Sequence, residues 1–448
     1  SPLLFALAIE PLACMIRRDA LVRGWGVPGE REDRIALYAD DVLVYMTDPQ
    51  ATGPRVLRLL SLFEEASGLR LNKAKSLLIP LRGDRDSMAW AEGIPIKRVS
   101  FKYLGIVISI LPEMAWARNL VPLLDRTQKD LAGWARLPLN IMGRVAIIKM
   151  MVLPRFLYVI QNFPGVIPGK WLQSANSMLS RFVWNKKPAR VAYRICCRST
   201  FDGGIAMIDL RLYYWATQIV VINDWMSGGW SDPTYRRELA SIGYQGVMGM
   251  LYGGVLSKAL PEVTRSVILA WRGALSWTRW NKKHTLMTPL WVGTWLAQVA
   301  GLEGFTRWDH IGITLLGDIW GTSSLKSFRE LQQEYGLHCS QFFRFLQLRH
   351  ALATYGLRDL EECNPLEVKV LSGKLGKGGV SRLYKSLVIH TPDRFNCLKQ
   401  KWEGLVGELD EADWRDASMA HREMAISSRL RLLQWKMFHM AYHTPAQL

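Results

Sequence analysis

The first apolar segment of the chain has the pattern of a buried helix. SPLLFALAIEPL places Ser1 at a helix N-cap and Pro2 at the first helical position, and apolar residues continue through Cys14. Two short runs of β type follow, Ile35 to Tyr38 and Val42 to Met46, and two adjacent acids lie between them. The pattern therefore predicts a helix and then a β-hairpin.

A second helix is predicted directly after the hairpin. Asp48, followed by proline, is a helix-start signal, and apolar residues then recur at helical spacing until Gly68. Strand-like runs come next at 76–81 and around 101–110, with Gly105 as a turn. Residues 1 to about 112 are therefore expected to form an α/β layer.

From about residue 113 onwards the pattern becomes helical. A long periodic segment, NIMGRVAIIKMMVLPRFLYVI, is broken by Pro154. Tryptophan is frequent, with nineteen in the whole chain. We interpret most of these residues as core, because a Trp at helical spacing buries a large apolar area.

Composition and charge narrow the classes of function. The chain has 448 residues, of which 49% are hydrophobic, enough for two or three domains with buried cores. Fifty-seven Lys and Arg against thirty-nine Asp and Glu leave a net charge of +18, which favours a polyanionic partner over a merely basic protein. Six scattered cysteines without a CxxC pair indicate neither a disulfide framework nor a zinc site, and they suit a reducing compartment.

Two absences bear on where the protein acts. No uninterrupted apolar stretch approaches the roughly eighteen residues that a membrane span needs, so no membrane partner is expected. No targeting segment is visible either, and the sequence opens at Ser1 in the middle of an apolar pattern, without an initiator Met. We therefore expect the chain to be a piece of a longer protein.

Asp40 and Asp41 are the strongest candidates for chemistry. Adjacent carboxylates in a buried setting repel each other and are costly to desolvate unless a cation or hydrogen-bond donors meet them. At a tight turn both can approach one spot, where oxygen-only ligands suit Mg²⁺. The alternative is a plain hairpin in which Asp side chains bond to the backbone of the turn, and the residues alone leave both open.

Four motifs follow one another in the first part of the chain. They are SPLLFALAIEPL, then Tyr38-Ala39-Asp40-Asp41 between two strands, then SGLRLNKAKS, and finally FKYLGI at 101–106. In this order they resemble the reverse transcriptase of LINE-type non-LTR retrotransposons, a part of the second-ORF polyprotein. Further similarity runs through LNIMGRVAIIKMMVLPRFLYVIQNFP, which resembles the thumb, and extends to the end of the chain.

The resemblance implies the fold class and the domains. We expect an α/β partial reverse-transcriptase palm at 1–112, followed by a mainly α-helical thumb at 113–199 and a helical wrist and start of the C-terminal region at 200–448. The fragment is expected to run from mid-palm to just before the C-terminal zinc knuckle. The endonuclease and the fingers would lie upstream on the same chain.

For the site, the resemblance implies two-metal nucleotidyl transfer with Mg²⁺. Asp40 is the expected direct ligand and Asp41 a weaker or outer one, while a further aspartate of the family lies on an upstream strand that is absent here. Lys75 matches a lysine near the departing pyrophosphate, with a solvated loop lysine as the alternative. Tyr38 and Ala39 would lie near the primer end. The expected primer grip consists of Phe101, Tyr103, Leu104 and Gly105.

A second candidate site is the basic stretch RFVWNKKPARVAYRICCR. Its cations suit the neutralisation of phosphates, and Trp184 and Tyr193 are expected to add base stacking. The alternative is an ordinary basic surface. The six candidate nucleic-acid-binding residues are Arg181, Lys186, Lys187, Arg190, Arg194 and Arg198.

The sequence thus predicts a fragment of an RNA-directed DNA polymerase for target-primed reverse transcription, inactive on its own. The implied partners are an RNA template, a DNA primer and, in the complete enzyme, a dNTP. The implied location is cytoplasmic and nuclear, in a ribonucleoprotein. The alternative is a non-catalytic nucleic-acid-binding remnant or a host-retained module.

Overall fold

The polypeptide folds into two units, Ser1–Ala115 and Trp116–Leu448. The computed structural model describes residues 2–26, 32–81, 90–163, 165–226, 260–278, 310–321, 324–354, 364–389, 394–423 and 427–442, with a few short stretches between 250 and 308. Among the helices of these residues, none has the length and apolar content needed to cross a membrane.

The N-terminal unit combines helices with two separate hairpins. The predicted order of helix, hairpin and helix is confirmed, and a second hairpin follows. Its elements are α1 (Pro2–Arg18), β1 (Ile35–Tyr38), β2 (Asp41–Val44), α2 (Pro49–Ser67), β3 (Ser100–Tyr103) and β4 (Ile106–Ser109).

The ends of α2 follow from the residues that were predicted to define them. The Asp48 side chain accepts a hydrogen bond from the Ala51 amide at 3.2 Å, which satisfies one of the free amides of the first turn. At the other end Gly68 has φ 73, and its amide donates to the Glu64 carbonyl at 2.8 Å. Both helix signals are confirmed.

The hydrophobic core of this unit lies between α1, α2 and one face of the first hairpin. β1 and β2 are antiparallel, with Ile35 opposite Val44 and Tyr38 opposite Asp41. Because side chains alternate along a strand, Ile35, Leu37 and Val44 share the face that packs on the helices. Tyr38 and Asp41 therefore lie on the opposite face, away from this core.

The strand expected at 76–81 does not form. Only Leu78 takes part in β pairing, as a single parallel bridge to Ile96. The Leu78 amide donates to the Pro95 carbonyl at 2.9 Å, and the Lys97 amide donates to the Leu78 carbonyl at 2.8 Å. Because Pro95 has no amide hydrogen, and Pro80 has none on the other strand, the pairing cannot extend into a ladder.

Beyond Ser109 the described residues contain helices and no further strand. This agrees with the helical character predicted from residue 113. The helices are α3 (Pro112–Trp134), α4 (Ile141–Ile147), α5 (Leu153–Asn162), α6 (Gly169–Val183), α7 (Tyr193–Cys197), α8 (Leu210–Met226), α9 (Glu262–Trp277), α10 (Leu316–Ile319), α11 (Phe328–Tyr335), α12 (Phe342–Thr354), α13 (Pro365–Leu371), α14 (Gly379–Ile389), α15 (Arg394–Val406), α16 (Glu411–Glu423) and α17 (Ser428–Phe438).

The break predicted at Pro154 in the periodic segment does not occur. The chain passes from α4 into a π-helical turn, Ile148–Val152, and continues directly into α5 with Pro154 in its first turn. The first turn of a helix tolerates proline because its amides have no intrahelical partner. A wider turn thus replaces the expected break.

Three larger hydrophobic cores hold the described helices of the second unit together. The first involves α3 to α8 and receives Trp435 from α17; the second joins α8, α9, α13 and α14; the third joins α10 to α12. Of the described tryptophans, eight are buried and only Trp25 is exposed, which confirms their interpretation as core residues. The first core contains residues on both sides of position 199, and the domain boundary proposed there stays a prediction.

Candidate active site and nucleic-acid interface

The acidic pair lies at the turn of the first hairpin. Ala39 and Asp40 are the two turn residues, and the flanking Tyr38 and Asp41 form the last pair of the ladder. Ala39 has φ 52, a positive value at the first turn position that is typical of type II′ hairpins. Glycine usually occupies that position, so an alanine there costs roughly 1–2 kcal/mol. The backbone is thus strained at the residue that precedes the two carboxylates.

Both carboxylates are exposed, contrary to the buried setting expected from the flanking apolar runs. Strand β1 is half-buried and ends in an exposed Tyr38, because only one face of the hairpin packs on helices. Within the described residues neither Asp40 nor Asp41 forms a hydrogen bond or an ion pair through its side chain. The structure therefore does not contain the alternative arrangement, in which these side chains form hydrogen bonds with the backbone of the turn.

The two carboxylates fit a hard divalent cation in part. Mg²⁺ commonly keeps several waters and is bound through one or two carboxylates together with substrate phosphates. In the part of the chain that the structure describes, no group of three or more His, Cys, Asp or Glu side chains could hold a metal ion. Asp40 and Asp41 could thus hold one such ion, whereas two ions would bring more positive charge than this pair offsets.

The second hairpin has a regular two-residue turn. Leu104 has φ 45 and Gly105 has φ 85, and positive values at both turn positions are typical of type I′. The turn expected at Gly105 is therefore confirmed. Phe101 and Tyr103 are half-buried and alternate with Lys102 along β3, so the two rings share one face. Their role at a primer stays a prediction.

The two hairpins lie close enough to interact electrostatically. Burial raises the pKa of the Tyr45 hydroxyl, and Tyr103 and Asp33 raise it further. Tyr45 directly follows β2 at the open end of the first hairpin, which is the end away from Asp40 and Asp41. The acidic turn and the predicted primer grip belong to the same N-terminal unit, on two separate hairpins.

Lys75 is not brought into contact with the acidic turn. It lies in an exposed turn after α2, where its amide donates to the backbone oxygen and the side-chain oxygen of Asn72, both at 3.1 Å. Its ammonium group forms no ion pair with Asp40 or Asp41. The predicted action of Lys75 on a pyrophosphate stays a prediction.

In the second unit, the structure gathers most of the basic stretch around one cleft. The cleft has a volume of about 770 Å³, and Arg181, Lys186, Lys187 and Arg194 line it. Arg190 and Arg198 do not line it. Arg198 instead supports a tight loop through its carbonyl, which accepts from the Ala206 amide at 2.9 Å.

Trp184 and Tyr193, which were expected to add base stacking, pack against the protein core beside the cleft. Trp184 is buried, and its ring centroid lies 6.2 Å from that of Trp435. Tyr193 packs against the same core, its hydroxyl donates to the Ile208 carbonyl at 2.7 Å, and burial raises its pKa well above the ordinary value. Both rings therefore stabilise the walls of the cleft.

Sequence reasoning missed several residues of this cleft. Arg211 lines it from the start of α8, and Asn176 and Asp209 contribute polar groups. Lys436 of α17 lies near Lys187, since both that lysine and Arg190 help to lower its pKa, after burial. No local pattern marks Arg211 and Lys436, because each stands between two apolar residues outside the stretch 181–198.

An α/β layer that presents carboxylates to a hard cation is the kind of site that metal-dependent phosphoryl-transfer enzymes use. Residues 1–108 match a family model described as reverse transcriptase (RNA-dependent DNA polymerase). The matched segment includes the first hairpin, Lys75 and all but the last residue of the second hairpin. The N-terminal part of the chain is therefore similar to a reverse transcriptase.

Proposed function

We propose that the chain is part of an RNA-directed DNA polymerase of a LINE-type retrotransposon. The observation that carries the proposal is the exposed Asp40-Asp41 turn within the segment similar to reverse transcriptases. The motifs SGLRLNKAKS and FKYLGI, which resemble LINE-type polymerases, support the narrower assignment. In this proposal the chain runs from mid-palm to just before a zinc knuckle.

The hairpin residues would act on the primer end. Asp40, with Asp41 as a weaker partner, would hold Mg²⁺, which when bound lowers the pKa of a primer hydroxyl and offsets triphosphate charge. Tyr38, exposed at the end of β1 on the same face as Asp41, would contact the primer. The turn of β3 and β4 would fix the primer strand, and the exposed Lys75 would neutralise departing pyrophosphate.

The remainder of the chain would hold the nucleic acid. In this proposal residues 113–199 are the thumb and residues 200–448 the wrist and the start of the C-terminal region. The partners are an RNA template, a DNA primer and a dNTP, with an endonuclease and fingers supplied from upstream. Such a protein would act as a ribonucleoprotein in the cytoplasm and the nucleus.

The proposal predicts binding without synthesis. The purified chain is expected to bind an RNA template annealed to a DNA primer, with an affinity that falls steeply as salt rises, because cations on this basic chain replace counterions. Primer extension in Mg²⁺ and dNTPs should be undetectable, because two carboxylates alone do not offset two metal ions. Fluorescence anisotropy measures the binding, and a gel-based extension assay measures the synthesis.

Asp40→Ala is the matched control for that experiment. It should leave the binding of the primer–template unchanged, since Asp40 is an exposed acidic residue and offers no positive charge that could bind a phosphate. Extension by the native chain that Asp40→Ala abolishes would show that the chain is complete as a polymerase. Failure to bind the primer–template even at low salt would contradict the polymerase assignment itself.

A non-catalytic nucleic-acid-binding module is the second candidate function. It is favoured by the observation that no third metal-ligating side chain joins Asp40 and Asp41 among the described residues. The two functions differ in whether the hairpin still binds a divalent metal ion, for which Mn²⁺ is a convenient probe.

The polymerase assignment predicts that Asp40→Asn/Asp41→Asn weakens Mn²⁺ binding about tenfold or more, because the hard ligand charge is lost. Electron paramagnetic resonance of free Mn²⁺ measures the affinity. Glu65→Gln, at an exposed position on α2, serves as the control and should have no effect. Equal Mn²⁺ binding by the native chain and the double variant would favour the non-catalytic module.

A further inference from the structure

The cleft in the second unit is built from four parts of the chain. They are one side of α6 along its length, the turn 184–189 that follows it, the first turn of α7 and residues 209–211 at the start of α8. The buried Trp184 ring and the core beneath it fix the walls. A volume of about 770 Å³ lies in the size range of ligand sites in proteins.

Positive charge dominates this cleft. Five cationic side chains line it against the single carboxylate of Asp209. That carboxylate is buried, and it accepts hydrogen bonds from the Asn176 side-chain amide and the Arg211 backbone amide, both at 2.9 Å. Its charge is thus satisfied by local donors. Within the described residues, none of the five cations has a carboxylate partner: Arg181, Lys186, Lys187, Arg194 and Arg211.

Two of the guanidinium groups are held in place by one aromatic ring. The guanidinium carbons of Arg194 and Arg211 lie 4.4 Å and 4.6 Å from the centroid of the Trp277 ring. The indole nitrogen of Trp277 donates to the Leu387 carbonyl at 3.0 Å, which fixes the ring. Stacking of this kind leaves the edge of a guanidinium available for two parallel hydrogen bonds to an oxyanion.

Arg211 also has an unsatisfied donor. Its Nε atom is buried and has no acceptor among the described residues, which costs about 1–3 kcal/mol. A small rotation of the side chain towards an oxyanion in the cleft would supply the missing acceptor. The most buried cation of the cleft is therefore the one that gains most from an anionic ligand.

The turn that carries the two lysines is strained. Asn185 has φ 51 and Lys186 has φ 63, so two consecutive residues other than glycine adopt the left-handed backbone conformation. The Lys186 amide donates to the Arg181 carbonyl at 2.8 Å and holds the turn closed. Strain of this kind is found most often at binding and switch sites, where the surrounding structure enforces it.

The positive surface continues beyond the cleft. The ring centroids of Trp184 and Trp435 lie 6.2 Å apart, which brings Lys436 towards the turn that carries Lys187. Burial lowers the pKa of the half-buried Lys436, and Arg190 and Lys187 lower it further. Neighbouring like charges repel one another, and a polyanion relieves this repulsion more effectively than a single small ion. The ligand is therefore expected to extend along the surface from the cleft.

We propose that this cleft binds the phosphate backbone of a single-stranded nucleic acid. Lys186 and Lys187 at the exposed rim would contact one phosphate, and the half-buried Arg211 with Arg194 would contact a neighbouring one. Duplex phosphates lie on the outside of a stiff cylinder and reach a rim more easily than a recess, whereas a flexible strand can bend into the cleft. This inference rests on the proposed function, in which residues 113–448 hold the nucleic acid, and it names the side chains and the single-stranded form that they bind.

The test compares two charge-matched double variants of the full chain in EDTA. Lys186→Gln/Lys187→Gln is expected to weaken the binding of a short oligouridine about tenfold at low salt. The slope of log affinity against log salt should fall in magnitude by about 0.7, since the contact with one phosphate is lost. Lys129→Gln/Lys385→Gln removes the same charge from two exposed positions on α3 and α14, and it should change neither quantity.

Two results would overturn the proposal. An equal loss of affinity in both double variants would mean that overall charge, and not the cleft, binds the strand. An equal loss for a blunt duplex and for the oligouridine would exclude preference for a single strand. EDTA removes any part played by a metal at Asp40 and Asp41, so failure of this experiment is distinct from failure of the polymerase proposal.

Discussion

Trp435→Ala is expected to lower the free energy of unfolding of the second unit by about 3–5 kcal/mol. Trp435 is completely buried in the first core of that unit, although it belongs to the last described helix. Its indole nitrogen donates to the Gly203 carbonyl at 2.8 Å, across 232 positions of the sequence. The substitution therefore leaves a cavity and also detaches α17 from the chain segment before α8.

The cavity, and not the hydrogen bond, should account for most of this loss. The Gly203 carbonyl also accepts from Nε2 of His439 at 2.7 Å, so it keeps a donor when the indole is removed. Trp435→Phe, which loses the same hydrogen bond but keeps much of the ring, should accordingly cost much less than Trp435→Ala.

Urea unfolding followed by circular dichroism measures the change in stability. Leu430→Ala is the matched control, because Leu430 lies on the same helix with 51% of its surface exposed. It should alter the free energy of unfolding by no more than about 0.5 kcal/mol. A midpoint for Trp435→Ala as high as that of Leu430→Ala would show that α17 does not depend on this core.

Those parts of the fold that local chemistry determines could be predicted from the sequence. Asp48 and Gly68 define the ends of α2 because a helix cap depends on one or two residues and their immediate neighbours. The turn at Gly105 is set by the same kind of local requirement, a positive φ. The interpretation of most tryptophans as core residues succeeded because exposing such a large apolar side chain to water is unfavourable.

Features that depend on distant partners could not be predicted in this way. The residues at 76–81 have the composition of a strand, but a strand needs a partner, and Pro95 limits the pairing to one bridge. The apolar residues around Asp40 suggested burial on both faces, whereas helices cover only one face of that hairpin. Sequence periodicity does not reveal how many faces of a hairpin find a packing partner.

The candidate sites show the same division. The basic stretch 181–198 was visible because its cations are close in sequence, and the structure gathers four of the six around the cleft. Arg211 and Lys436 join them only through the packing of α8 and α17. Trp184 and Tyr193 were expected to stack on bases because they alternate with cations in the sequence. That alternation does not show which way a ring faces.

Arg144→Ala is expected to lower the free energy of unfolding of the same unit by about 2–4 kcal/mol. Arg144 is buried, and burial lowers the pKa of its guanidinium. Its Nε donates to the Leu139 carbonyl at 3.3 Å and its Nη1 to the Phe182 carbonyl at 3.1 Å. One side chain thus connects the start of α4 to the end of α6, and the end of α6 forms part of the wall of the basic cleft.

Two opposing effects decide the size of that loss. Removing a buried cation that has no carboxylate partner among the described residues returns the free energy spent on its desolvation. Against this, the Leu139 carbonyl loses a donor, and the aliphatic stem and the contact with the Phe182 ring, 5.0 Å away, are lost as well. Arg144→Met keeps the stem, so it should be roughly half as destabilising as Arg144→Ala if packing is the larger contribution.

The same urea experiment, with Arg126→Ala as the control, separates these contributions. Arg126 is exposed on α3, and its loss should change the free energy of unfolding by at most about 0.5 kcal/mol. If Arg144→Met is as destabilising as Arg144→Ala, the hydrogen bonds to the two carbonyls outweigh the packing. If Arg144→Ala behaves like Arg126→Ala, the desolvation free energy that is recovered cancels the stabilisation that the guanidinium contributes. The link between α4 and α6 would then contribute to the specificity of the fold and not to its stability.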